Sequence, residues 1–180
     1  GDTLEVLKEI PDESIDMVIT SPPYWGLRRY GDYKEQIGLE PTFSEYLDKI
    51  MVIMKEIKRV VKKEGQIWVN IGDCYASNGP EETRFWHGNN VGKHKLSNDN
   101  YAGRARCKNY QSKCLLMVPE RFAMRCIDEL GLILRNKIKW AKQVLIKKEN
   151  RTKGSVMPTS VKDRFNESGE ELYFFVKNKK

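Results

Sequence analysis

The sequence predicts an α/β fold, part of a doubly wound domain with a mostly parallel sheet and an antiparallel closing strand. Three observations carry this. A short apolar run, Asp16–Thr20, is halted by Pro22 and Pro23, as a buried strand ending in a rigid turn would be. Two amphipathic stretches, 42–63 and 116–130, have apolar residues at three- and four-residue steps. Strand and helix patterns alternate along the chain and finish in two closing strands, the order of an α/β unit.

In order, Gly1-Asp2 precedes an amphipathic turn through Leu4, Leu7 and Ile10, which Asp2 suits as an N-cap. The basic, aromatic, glycine-hinged stretch 26–31 with Arg28 and Arg29 reads as a loop that closes over a ligand or touches a phosphate backbone, or as an ordinary surface loop. Thr42 and Glu45 have capping-box spacing ahead of Phe43, Tyr46, Leu47, Ile50, Met51, Met54, Ile57 and Val61, and Gly65 terminates that helix. Gln66–Ile71 reads as the next buried strand, ending at Gly72-Asp73. Residues 77–113 lack periodicity and read as a long mobile insertion. Pro119 opens and Gly131 closes the second helix. Alternation of Leu134, Asn136, Ile138 and Trp140 with Arg135, Lys137 and Lys139 predicts a strand over 132–143. A loop over 144–170 and a last strand over 171–177 follow.

At 180 residues the chain is one domain's worth, and 39% apolar with 32% charged residues is ordinary for a globular protein. No run of 18 apolar residues and no signal peptide is present, so no membrane partner and a cytoplasmic location are expected. A first residue of Gly rather than Met points to a chain that has been cut or is incomplete. Cys74, Cys107, Cys114 and Cys126 have no CxxC spacing and read as reduced thiols. The six-residue gaps between His87 and His94 and between Cys107 and Cys114 are not usual ligand spacing, and no metal site is expected. Net charge is +7, and between Arg135 and Lys153 eight basic residues face one acid, Glu149. Interleaved with aromatic and apolar residues, this run points to a polyanion partner, with Lys137 and Lys139 as candidate contacts.

The chemistry centres on Thr20-Ser21-Pro22-Pro23-Tyr24-Trp25. A rigid turn with a hydroxyl on one side and an aromatic ring on the other suits a flat, amino-bearing ligand, whose hydrogens oxygens accept while the ring stacks on its face. Ligands of open α/β sheets bind beyond the carboxyl ends of strands, so Asp73 should share a rim with Ser21. There it orients the ligand's amino group or a partner side chain, or caps a turn.

Residues 1–38 resemble the catalytic segment of the DNA amino-methyltransferases. The resemblance continues through IWVNIGDCYA (67–76), LRNKIKWAK (134–142), PTSVKDRF (158–165) and ELYFFVKN (171–178), in the order that puts the catalytic motif before the cofactor motif. It implies a partial Rossmann-like, S-adenosyl-L-methionine-dependent methyltransferase fold, one catalytic unit over 1–180, DNA as substrate, and a flipped target base. Ser21, Pro22, Pro23 and Tyr24 would be catalytic, Trp25 and Asp73 would line the base pocket, and Asp2 would contact the cofactor. Arg164 would join Arg28, Arg29, Lys137 and Lys139 on DNA, or form an ion pair with Asp163 that shapes the pocket. The serine form of the motif is most similar to the cytosine-N4 branch; adenine N6 is the alternative. The family's glycine-rich cofactor motif is missing, since no GxG occurs in the chain. Cofactor binding is therefore expected to need a C-terminal half or a complementary subunit. From a different class, a non-catalytic nucleic-acid-binding fragment is also consistent with that absence.

Overall fold

The computed structural model describes residues 2–27, 36–76, 109–146, 151–154, 162–165 and 167–179. Arg28, Arg29 and most of the expected 77–113 insertion lie outside the described residues. Helix α1 spans Thr3–Glu9, and the Asp2 carboxylate accepts from the amides of Leu4 (2.8 Å) and Glu5 (3.3 Å). Strand β1 is Ile15–Thr20, helix α2 Phe43–Val60 and strand β2 Val61–Ile71. Helix α3 is Val118–Asp128, strand β3 Ile133–Ala141 and strand β6 Gly169–Val176. The short strands β4, Gln143–Ile146, and β5, Arg151–Gly154, pair antiparallel.

The main sheet has the order β1-β2-β6-β3. β1 and β2 are parallel, whereas β6 is antiparallel to both β2 and β3. Three strands therefore share one direction and β6 alone is reversed, as expected of a mostly parallel sheet. Its place is less obvious, because the last strand inserts between β2 and β3. The alternating lysines of β3 are exposed, which suits that strand to the edge, whereas Tyr173 and Phe175 of β6 are fully buried.

Helices α2 and α3 bury Tyr46, Ile50, Met54, Phe122 and Cys126 against Ile67, Val69, Ile71, Tyr173 and Phe175 of one sheet face. Phe122 meets both Tyr173 and Phe175 edge-on. By register, the other face carries Met17, Ile19, Trp68, Phe174, Ile138 and Trp140, with Trp68 stacked on Phe174 at 4.2 Å.

Two expectations are corrected. The helix stops at Val60 rather than 63, and Gly65 lies inside β2 instead of ending α2. Its reason is a bulge: Ile15 pairs with Val61 and Met17 with Gln66, so two steps along β1 face five along β2. A Cβ on Gly65 would lie 2.8 Å from the Asp16 carbonyl oxygen, so only glycine lets the strands close there. The stretch 144–170, expected as a loop, contains the β4–β5 pair. Among the described residues, no helix is long and apolar enough to cross a membrane.

Candidate active site

The parallel pairing of β1 and β2 brings Ser21 and Gly72-Asp73 to the same rim, at the carboxyl ends of both strands. Because β6 is reversed, its first residues, Gly169–Glu171, start at that rim too, with Glu171 opposite Ile71.

Asn70 joins these elements. It is 7% exposed, the one amide among the apolar residues that end β2. Its Nδ2 donates to the carbonyl oxygen of Glu171 at 3.1 Å, which fixes which way the amide faces. Its Oδ1 then accepts from the Tyr24 hydroxyl at 2.8 Å and, at a longer 3.4 Å, from the Ser21 hydroxyl. With its proton directed at Asn70, the exposed Ser21 oxygen keeps its lone pairs for another partner. The Tyr24 ring rests on Gly72, where a Cβ would come within 2.4 Å of it. Residue types thus dictate the close fit: an amide beneath the turn and no side chain behind the ring.

Glu170 completes the cluster. Burial pushes its carboxyl up, but hydrogen bonds from Lys142, Tyr24 and Asn70, together with the Lys142 charge, outweigh this and hold it below the usual glutamate range. The single Tyr24 proton therefore faces two acceptors, Asn70 and Glu170.

Trp25, expected to wall the pocket, is instead 3% exposed in the core, edge-on to Phe43, with Nε1 donating to the Glu40 carbonyl at 2.9 Å. The prolines turn the chain so that Tyr24 and Trp25 point apart. The buried Glu40 carboxylate accepts from the Gly38 amide (2.8 Å) and pairs with Lys49, and the Gly26 amide bonds the Gly38 carbonyl. Residues 36–40 therefore brace the turn from behind.

Asp73 does reach the rim, yet its Oδ1 is spent on the amides of Cys74 (2.8 Å) and Val118 (3.0 Å), so it caps α3. Burial raises its pKa, against the lowering effect of those two bonds. Of the basic candidates, Lys137 is paired with Glu120 and lies 3.9 Å from Glu171, while Lys139 contacts Glu171 (3.0 Å) and Glu167 (3.3 Å). These lysines hold acidic residues of the fold. Asp163 pairs with Lys113 at 2.5 Å rather than with Arg164, whose guanidinium lies 3.7 Å over the Tyr75 ring. Asp2 serves as the cap of α1.

Sequence reasoning missed Asn70, Gly72, Lys142 and Glu170. A lone amide in an apolar strand was the available signal for Asn70; the others depend on β6 folding back beside β2. A groove of ≈ 650 Å³ lies at the opposite end of the sheet, beside Glu13, Leu130 and Lys177, away from this cluster. Its Lys58, Arg59 and Lys177 are bound to backbone carbonyls.

Comparison with known proteins agrees with this fold. The N6_N4_Mtase family, described as DNA methylase, matches residues 15–180. Type II methyltransferase M.XycI of Xanthomonas campestris pv. cyanopsidis is 38% identical over 180 residues, which is 100% of this chain and 54% of that protein. M.Cfr9I of Citrobacter freundii is 37% identical with the same coverage. The chain thus spans about half the length of these relatives. Among solved structures, the PvuII DNA methyltransferase (cytosine-N4-specific) superposes with a TM-score of 0.62 at 22% identity, over 99% of this chain and 48% of that one. A putative DNA modification methylase from Thermus thermophilus, complexed with S-adenosyl-L-methionine, gives a TM-score of 0.58 at 20% identity, over 100% and 54%. With a matching sequence family, a shared fold and the Ser-Pro-Pro-Tyr turn at its rim, the chain belongs to the N6_N4_Mtase family of DNA methylases.

Proposed function

We propose that this chain carries the catalytic turn of an enzyme that methylates an exocyclic amino group in DNA, cytosine N4 in preference to adenine N6. The observation that carries the reading is the Asn70 amide, which holds both Ser21 and Tyr24 at the carboxyl rim of the sheet. An exocyclic amine is a poor nucleophile because its lone pair is conjugated into the ring. Oxygens that accept its two hydrogens draw the nitrogen toward a tetrahedral shape and aim its lone pair. The Ser21 hydroxyl is an acceptor there because its own proton is engaged by Asn70. The Pro22 carbonyl is the second acceptor, and Tyr24 stacks on the extruded base. Serine at the first position of the motif, together with the likeness to a cytosine-N4-specific enzyme, favours cytosine.

S-adenosyl-L-methionine, when bound, supplies the methyl group as a sulfonium. The residues present fit it in part. Asp2 is exposed beyond its capping bonds and would contact the cofactor, and the Ser21 turn lies open at the rim. A glycine-rich loop is absent from the sequence and would come from a complementary segment or subunit. DNA contacts beyond the base pocket are assigned to Arg28, Arg29 and Arg164, with Lys137 and Lys139 free to contribute only after leaving their carboxylates.

Transfer of labelled methyl from S-adenosyl-L-methionine to mixed-sequence DNA, with the product nucleoside identified by mass, tests the reading. N4-methylcytosine is expected. N6-methyladenine would replace the base assignment, and absence of product from the full-length protein would overturn the function. Ser21→Ala is expected to lower turnover by roughly 10²-fold, the scale of losing one pre-aimed hydrogen bond, while DNA binding survives.

A further inference from the structure

Phe165 is 98% exposed, while the residues just before it are held. Asp163 is tied to Lys113 at 2.5 Å, and Arg164 stacks on Tyr75 at 3.7 Å. Tyr75 lies four residues beyond the end of β2, and the segment leads into the reversed strand β6. Strand direction therefore places Phe165 at the same rim as Ser21 and Tyr24. A fully solvated ring contributes no burial to the fold. Lys162 and Arg164 precede Phe165 in the chain, while Lys113 is already paired with Asp163; a basic neighbourhood around an exposed aromatic ring is the combination that suits unstacked nucleic acid.

We infer that Phe165 inserts into the DNA base stack and fills the gap left by the extruded target base. The inference rests on the base-extruding reading above. Tyr24 captures the base that leaves; Phe165 stabilises the duplex it leaves behind.

The test uses the full-length protein and duplexes with 2-aminopurine at the target position, whose fluorescence rises on unstacking without any methyl transfer. In one duplex the 2-aminopurine is paired with thymine; in the other it faces an abasic site, where extrusion is already cheap. Phe165→Ala is expected to weaken the fluorescence response on paired DNA by roughly tenfold or more in apparent affinity, the usual worth of one base–aromatic stack. The abasic duplex should respond as with the native protein, Phe165→Trp should retain both responses, and thermal stability should not change. Equal responses of Phe165→Ala and native protein on paired DNA would overturn the inference, as would equal losses on both duplexes. Should the native protein raise no fluorescence on either duplex, base extrusion itself fails, and the role of Phe165 with it.

Discussion

The Asn70 side chain shows how one residue sets the polarity of another. Because its Nδ2 is committed to the Glu171 carbonyl, its Oδ1 must face the turn, and Ser21 is left as an acceptor. Replacing Asn70 by Leu keeps the volume and removes both acceptor and donor. Turnover should fall by an amount similar to that of Ser21→Ala, and the double variant should be little worse than either alone. Steady-state kinetics of the four proteins checks this, since fully additive losses would mean that Asn70 acts elsewhere. Thiol chemistry is a second residue-scale test. Burial pushes the Cys126 thiol up to about 12, with Glu129 adding to the rise, so at pH 8 it stays neutral and unreactive. Cys114 is exposed. Alkylation followed by peptide mass mapping should label Cys114 in the native protein and Cys126 only after unfolding.

At the scale of elements, the bulge in β2 decides how β1 meets it. A Cβ on Gly65 would lie 2.5 Å from Val61 Cγ1 and 2.8 Å from the Asp16 carbonyl. Gly65→Ala should therefore destabilise by about 1–3 kcal/mol, the usual range for forced overpacking, and the loss should appear as a lower urea midpoint. Gly131, after α3, has φ +61°, but nothing lies within 4 Å of where its Cβ would stand. Gly131→Ala meets only the backbone cost of about 1 kcal/mol, so the two variants separate crowding from conformation. Position 65 also explains why the sequence pattern overextends α2. A glycine after an amphipathic run looks like a helix stop, and only the pairing with β1 reveals a strand that needs the same residue for close approach.

For the whole molecule, charge is distributed differently from what the basic run implied. Lys137, Lys139 and Lys142 are engaged by Glu120, Glu167, Glu170 and Glu171, most of them at the start of β6 or just before it. A phosphate contact contributes about 0.9 to the slope of log affinity against log salt. Lys137→Ala and Lys139→Ala are expected to change that slope far less than this, and titrations of DNA binding at several salt concentrations measure it. The same pairing sets a pH dependence. Glu170 is held below the ordinary glutamate range, so its stabilising contribution is present above that range and lost as pH falls through its lowered folded-state value. Glu170→Gln should flatten this part of the acid limb of a stability–pH curve.

Local patterns in the sequence determined the α/β class, both principal helices, the rigid Ser21-Pro22-Pro23-Tyr24 turn and its family, because periodicity, prolines and motif order are properties of neighbouring residues. Tertiary structure alone decided which partners those residues keep. Trp25 went to the core, Asp73 to the cap of α3, and the lysines of β3 to carboxylates. Asn70 entered the site for the same reason: the reversed strand β6 lies beside β2, and hydrogen bonds between residues about a hundred positions apart exist only once the sheet has closed.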